Sequence, residues 1–124
     1  MGEYNDVIVT KVFTAELILA NGSALSGVID LGSVSQLGST GLQVYISGDG
    51  TAQFDYTVSN HLNDFITPSG VSAIASSVTK TSGPGSDGKD AYPFEVIIHR
   101  YMRIKVTETG TSDSITVTAY LATN

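Results

Sequence analysis

The stretch VYISGDGTAQFDY, residues 44–56, brings Asp49 and Asp55 close together around a Gly-Asp-Gly. Two neighbouring carboxylates can work as an acid and a base, or can open a calcium loop. A helix–loop–helix calcium loop needs a ladder of oxygen ligands and a closing glutamate at its twelfth position. Counted from Asp49, that position is Asn60, so the closing carboxylate is missing. The surrounding pattern favours strands. Leu42, Val44 and Ile46 share one side of an alternating run, and Ala52, Phe54, Tyr56 and Val58 share one side of the next. Gly48–Thr51 between them predicts a hairpin turn, with glycine supplying the positive φ. Asp49 then sits at the tip. Asp55 points outward beside Gln53 and Thr57, and the two carboxylates do not converge.

The remaining reactive side chains are scattered. His61 and His99 show no HxH or HExxH spacing, and a metal centre needs three or four converging ligands. They are therefore expected as solvated or edge histidines. Serines abound, but no Gly-x-Ser-x-Gly elbow is present. The loop GPGSDG lacks the Lys-Ser/Thr ending of a phosphate loop. Asp87, Asp90 and Glu95 cluster in sequence and are the one candidate calcium loop. Tyr45, Tyr56, Tyr92, Tyr101 and Tyr120 fit a sugar-binding face, although such platforms usually include tryptophan and the chain has none. Outward tyrosines on a sheet are otherwise cross-strand partners. Arg100, Arg103 and Lys105 form the one basic cluster. They read as solvent-face charge, or as a contact with the acidic surface of another subunit. These residues predict neither a catalytic site nor a cofactor.

The elements that would position these groups are β-strands. The chain has 124 residues, 13 of them glycine, and is 41% hydrophobic, enough for one globular domain over 1–124. There is no cysteine, which removes disulfides, thiolate zinc sites and thiol nucleophiles. A net charge of -6 argues against a nucleic-acid binder, which needs a Lys/Arg surplus. No apolar run reaches a membrane span, and the acidic N-terminus MGEYNDVIVTK has no secretory pattern. Met1-Gly2 is a weak match to an acylation signal. Residues 6–20 predict two short strands or one long bent one. Asn21-Gly22 predicts a type I′ turn, and 26–32 a short strand. Residues 33–41 predict a loop. Residues 60–70 predict an irregular connection anchored by Leu62, Phe65 and Ile66, and 71–80 a strand. Residues 81–93 predict a loop excursion. Met102, Ile104 and Val106 alternate with Arg103, Lys105 and Thr107. Ile115, Val117, Ala119 and Leu121 alternate with Thr116, Thr118 and Tyr120. This last pair of runs predicts a hairpin with one wet face. Short strands at regular spacing make the fold class all-β, an antiparallel β-sandwich of jelly-roll type.

Taken in order, GSALSGVIDLG (22–32), VYISGDGTAQFDYTVSN (44–60), DGKDAYPFE (87–95) and RYMRIKVTETGTSDSITVTAYLA (100–122) resemble small β-rich structural proteins of tailed bacteriophages and prophages. The resemblance implies a non-enzymatic virion component, a head decoration protein or a tail or neck accessory. It implies a homo-oligomer that contacts other virion proteins and is made in the host cytoplasm. It carries no catalytic residue. Residues 1–21 are then an N-terminal arm or edge strands. The other class that fits the pattern is a carbohydrate- or cell-surface-binding module, with calcium at Asp87, Asp90 and Glu95.

Overall fold

The computed structural model describes residues 7–32, 40–96 and 99–123. These form nine strands: β1 (Ile8–Ile18), β2 (Ser23–Leu25), β3 (Ile29–Asp30), β4 (Thr40–Gly48), β5 (Ala52–Ser59), β6 (Ala75–Val78), β7 (Lys89–Phe94), β8 (Tyr101–Glu108) and β9 (Ile115–Thr123). The strands make two sheets. Sheet A has the order β1-β9-β4-β7, and sheet B the order β2-β8-β5-β6, with β3 also on β8. Every pairing is antiparallel. The partnering is nested: β1 with β9, β2 with β8, β4 with β7 and β5 with β6. That nesting is the double Greek key of a jelly roll, the class that the alternation predicted.

The alternation puts one side of each long strand between the sheets. Leu42, Val44, Ile46, Val117, Ala119 and Leu121 from sheet A meet Phe54, Val58, Met102, Ile104 and Val106 from sheet B, each at most 2% exposed. Burying a side chain of this size contributes about 1.5–3 kcal/mol, and these residues form one continuous core with Tyr56, Phe13 and Ile18.

Two predicted hairpins are not hairpins. β4 and β5 lie in different sheets, and so do β8 and β9. Ile46 pairs with Val117, and Phe54 with Val106, rather than with each other. Both connections arch over the core. An arch and a hairpin bury the same alternate residues, so the pattern cannot separate them. The Asn21-Gly22 reading changes for the same reason. The turn is Leu19–Gly22, closed by the Gly22 amide on the Leu19 carbonyl. Asn21 is its third residue, at φ 62, and the turn passes from sheet A to sheet B.

β1 is the single long bent strand, with register shifts between Lys11 and Phe13 and between Phe13 and Glu16. Ala15 takes φ 45 there. The predicted loop at 81–93 is a loop only up to Gly88. Lys89–Phe94 pair with β4. Pro93 is tolerated because β7 is an edge strand, where one side of the backbone needs no ladder bond. The Leu62 and Ile66 side chains are 59% and 61% exposed, and Ile66 ties its segment to β5 through its backbone instead, exchanging two hydrogen bonds with Val58. The predicted loop at 33–41 lies outside the described residues up to 39, and Thr40 and Gly41 open β4.

One carboxylate holds the arches together. Glu108, at the end of β8, is 1% exposed. Its Oε1 accepts from the amides of Asn21 (3.0 Å) and Thr111 (2.9 Å), and its Oε2 from those of Thr51 (2.9 Å) and Gly110 (2.6 Å). Three inter-sheet connections therefore converge on one side chain. The amides of Thr51 and Asn21 lead the stabilisation of its charged form against burial, and they hold its pKa down to about 2. Gly50 and Gly110 make the room: a Cβ on either would fall 3.0 or 2.7 Å from Oε2.

Candidate functional site

The two outer faces differ. Sheet B is partly roofed by the segment after β5. Thr57 and Ser59 point outward from β5, yet they are only 7% and 4% exposed. Phe65 lies in that segment, and the Arg103 guanidinium sits 5.7 Å from its ring. Among the described residues sheet A has no such cover, and its outward side chains on β4 and β7 are mostly exposed.

The register sets out that open face row by row. Val9, Ala122, Gly41 and Pro93 form one row across β1, β9, β4 and β7, and Lys11, Tyr120, Gln43 and Ala91 the next. Thr118, Tyr45 and Lys89 follow. Two lysines lie over two tyrosines. Lys11 Nζ is 5.5 Å from the centroid of the Tyr120 ring, and Lys89 Nζ is 5.5 Å from that of Tyr45. Tyr45 and Tyr120 are diagonal neighbours, about 7–8 Å apart at the backbone. The result is a diagonal band, Lys11–Tyr120–Tyr45–Lys89, with Gln43 and Thr118 between the rings. Small residues beside it, Gly41, Ala91 and Ala122, leave a shallow trough. It consists of two adjoining depressions of about 300 and 210 Å³ that share Gln43 and Tyr120. No outward position of these four strands that faces this band carries a carboxylate.

Other candidate residues are placed elsewhere. Asp49 pairs with Lys80, which lowers the Asp49 pKa and raises that of Lys80 through their hydrogen bond and charge. Asp55 accepts from Gln53 on the far sheet, so Asp49 and Asp55 stay apart. Arg100 makes a two-pronged contact with Asp30, at 2.8 and 3.1 Å. That hydrogen bond lowers the Asp30 pKa and raises that of Arg100. Arg103 donates from Nε to the Ser26 carbonyl. Lys105 faces Asp55 across β5 and β8. Arg100 and Arg103 thus bind within the chain, and Arg103 and Lys105 point out from sheet B.

Asp87 accepts from the Lys89 amide and Asp90 from the Ala91 amide. Among the described residues, no three His, Cys, Asp or Glu side chains are grouped so as to hold a metal ion. Of the five candidate tyrosines, only Tyr45 and Tyr120 share an outer face. Tyr56 is in the core. Tyr92 points inward from β7, and burial with the neighbouring Asp90 raises its pKa to about 12. Tyr101 lies on sheet B beneath Arg100.

The histidines are less isolated than their spacing implies. His61, His99 and Asp64 line one open depression of about 300 Å³ with Ser59 and Ile66. His61 Nε2 is 3.5 Å from Asp64.

Sequence reasoning missed the pairing of Lys11 with Tyr120 and of Lys89 with Tyr45. Each pair is distant along the chain, and only the strand order brings it together. Glu108 also gave no signal, because it ends an alternating run where a solvent-facing glutamate is ordinary. The chain matches no known protein family, and no curated protein or solved structure is significantly similar to it.

Proposed function

We propose that this chain is a non-enzymatic structural module of a tailed-phage or prophage particle, presenting the outer face of sheet A to a partner. The contact half of the reading is carried by one observation. In a chain of net charge -6, the open face carries two lysines over two tyrosines, and the strand positions that face them are Gln43, Thr118, Gly41, Ala91 and Ala122 rather than carboxylates. The particle setting is supported by the resemblance in motif order. It is also supported by a sandwich whose arches are tied by Glu108, a design that holds a surface rigid. In this reading copies of the chain associate with each other and with other virion proteins.

Mass spectrometry of purified particles tests the setting, and light scattering of the isolated chain tests self-association. The chain should be present at a fixed copy number and form a discrete oligomer. A strictly monomeric chain that is missing from particles removes the reading. A second reading, a carbohydrate- or cell-surface-binding module unattached to any particle, is favoured by the trough between Tyr45 and Tyr120. Calcium in that module would need ligands other than Asp87, Asp90 and Glu95 as they stand.

A further inference from the structure

We infer that the Lys11–Tyr120–Tyr45–Lys89 band binds a carboxylated saccharide. The inference rests on the proposal that this face meets a partner, and it names the partner's chemistry. Three features select it. The first is charge. The band holds the cations Lys11 and Lys89 with no acidic neighbour on the facing positions, inside an acidic molecule, so an anionic ligand is complementary and a neutral one leaves both ammonium groups unused. The second is shape and lining. Two rings flank a polar floor of Gln43 and Thr118. Ring faces and edges suit the C–H surface of a sugar, and an amide and a hydroxyl suit its hydroxyl groups.

The third feature is size. Three outward rows roughly 7 Å apart on four strands roughly 4.8 Å apart give a face of about 300–400 Å². A stable protein–protein contact needs about 800 Å² per partner, so this band is too small to hold a folded protein by itself. Single-stranded nucleic acid would also use aromatic rings and lysines. A uronate- or sialate-type chain differs in carrying free hydroxyls on every residue, which the Gln43 amide and the Thr118 hydroxyl between the rings suit.

Isothermal titration of the full chain with oligogalacturonate, with its methyl ester and with polysialate tests the inference. At least one of the two carboxylated saccharides should bind. Methyl esterification should weaken oligogalacturonate binding roughly tenfold or more, because each lysine loses a charge-assisted contact. Lys11→Ala/Lys89→Ala should weaken binding about tenfold, and Tyr120→Ala should do the same. Lys80→Ala, away from the face, should leave it unchanged. Raising the salt from about 0.05 to about 0.3 M should weaken binding. Lys11→Gln/Lys89→Gln, which keeps much of each aliphatic stem, repeats the test if the alanine variant melts early.

The inference is overturned if neither carboxylated saccharide binds, or if the ester binds as well as the acid. It is also overturned if the lysine substitutions have no effect, or if single-stranded oligothymidylate binds more tightly than either saccharide. Particle content is read separately. A chain present in particles that binds no saccharide overturns this inference alone. A chain that binds saccharide but is missing from particles overturns the particle setting alone.

Discussion

Replacing Glu108 by glutamine tests the way this sandwich is closed. The carboxylate accepts four amide hydrogens, two on each oxygen, from Asn21, Thr51, Gly110 and Thr111. Glutamine has the same shape but one acceptor oxygen. Two of the four amides would face an NH₂ group, donor against donor, in a site that is 1% exposed. Buried donors without acceptors are more costly than the bonds they replace are stabilising. Because the folded-state pKa is lowered from 4.5 to about 2, the ionised form stabilises the fold fully above pH 4.5. That contribution is lost as pH falls through this window toward 2. One titrating group changes the folding constant by at most about tenfold per pH unit there. Urea unfolding of wild type and Glu108→Gln at pH 7, 5, 3.5 and 2.5 should show Glu108→Gln much weaker at pH 7. The two midpoints should then converge as the wild-type carboxyl protonates. Asp30→Asn and Asp49→Asn serve as controls, since both carboxylates are exposed and screened. A wild-type pH slope that survives intact in Glu108→Gln would refute the argument.

Three further outcomes are expected. Leu121→Ala, on the inward side of β9 and fully buried, should lose about 2–5 kcal/mol by chemical denaturation; a loss below about 1 kcal/mol would mean the two sheets are not packed as described. Gly88→Ala should destabilise far more than Gly70→Ala. Both glycines have positive φ, but a Cβ on Gly88 would collide with the Ile46 carbonyl, while Gly70 has open space around it; equal melting temperatures would contradict the β4–β7 junction. Tyr92 should ionise near pH 12 in an ultraviolet titration, and Tyr92→Phe should remove that step. Because its folded pKa is raised above 10.0, the Tyr92 contribution is complete below pH 10 and lost as pH rises toward 12, so Tyr92→Phe should flatten the alkaline loss of stability.

What the sequence made legible follows from what a period of two can encode. Leu42, Val44 and Ile46, and Met102, Ile104 and Val106, are buried as their alternation requires, because each strand has one side toward the core. Alternation is silent about the neighbouring strand. Gly48–Thr51 and 109–114 look like hairpin turns, and they arch between sheets because the buried sides of β4 and β5 face each other across the core. The turn residues carry the difference only through bonds made far away, such as the Gly50 amide to the Ser114 carbonyl. The loop expected over 81–93 gives way to a strand that contains Pro93. Its ring forbids a central strand but not an edge, and edge status is a property of the whole sheet.

The candidate site was hidden by the same gap between face and neighbour. The sequence singled out Arg100, Arg103 and Lys105 because they are adjacent along the chain. The structure occupies Arg100 with Asp30 and Arg103 with the Ser26 carbonyl. The cations left facing solvent together are Lys11 and Lys89, 78 positions apart in sequence, and they meet the same sheet face only because β1 and β7 are its two edges. A jelly roll places its first strand beside its last, so side chains from opposite ends of the chain are brought onto one surface. Charge clustering along the sequence is therefore a poor guide to charge clustering on this fold. Outward positions that share a row are the better guide. By that measure the face of sheet A separates from the rest of an acidic molecule by its two lysines and its two rings, with uncharged residues at the strand positions that face them.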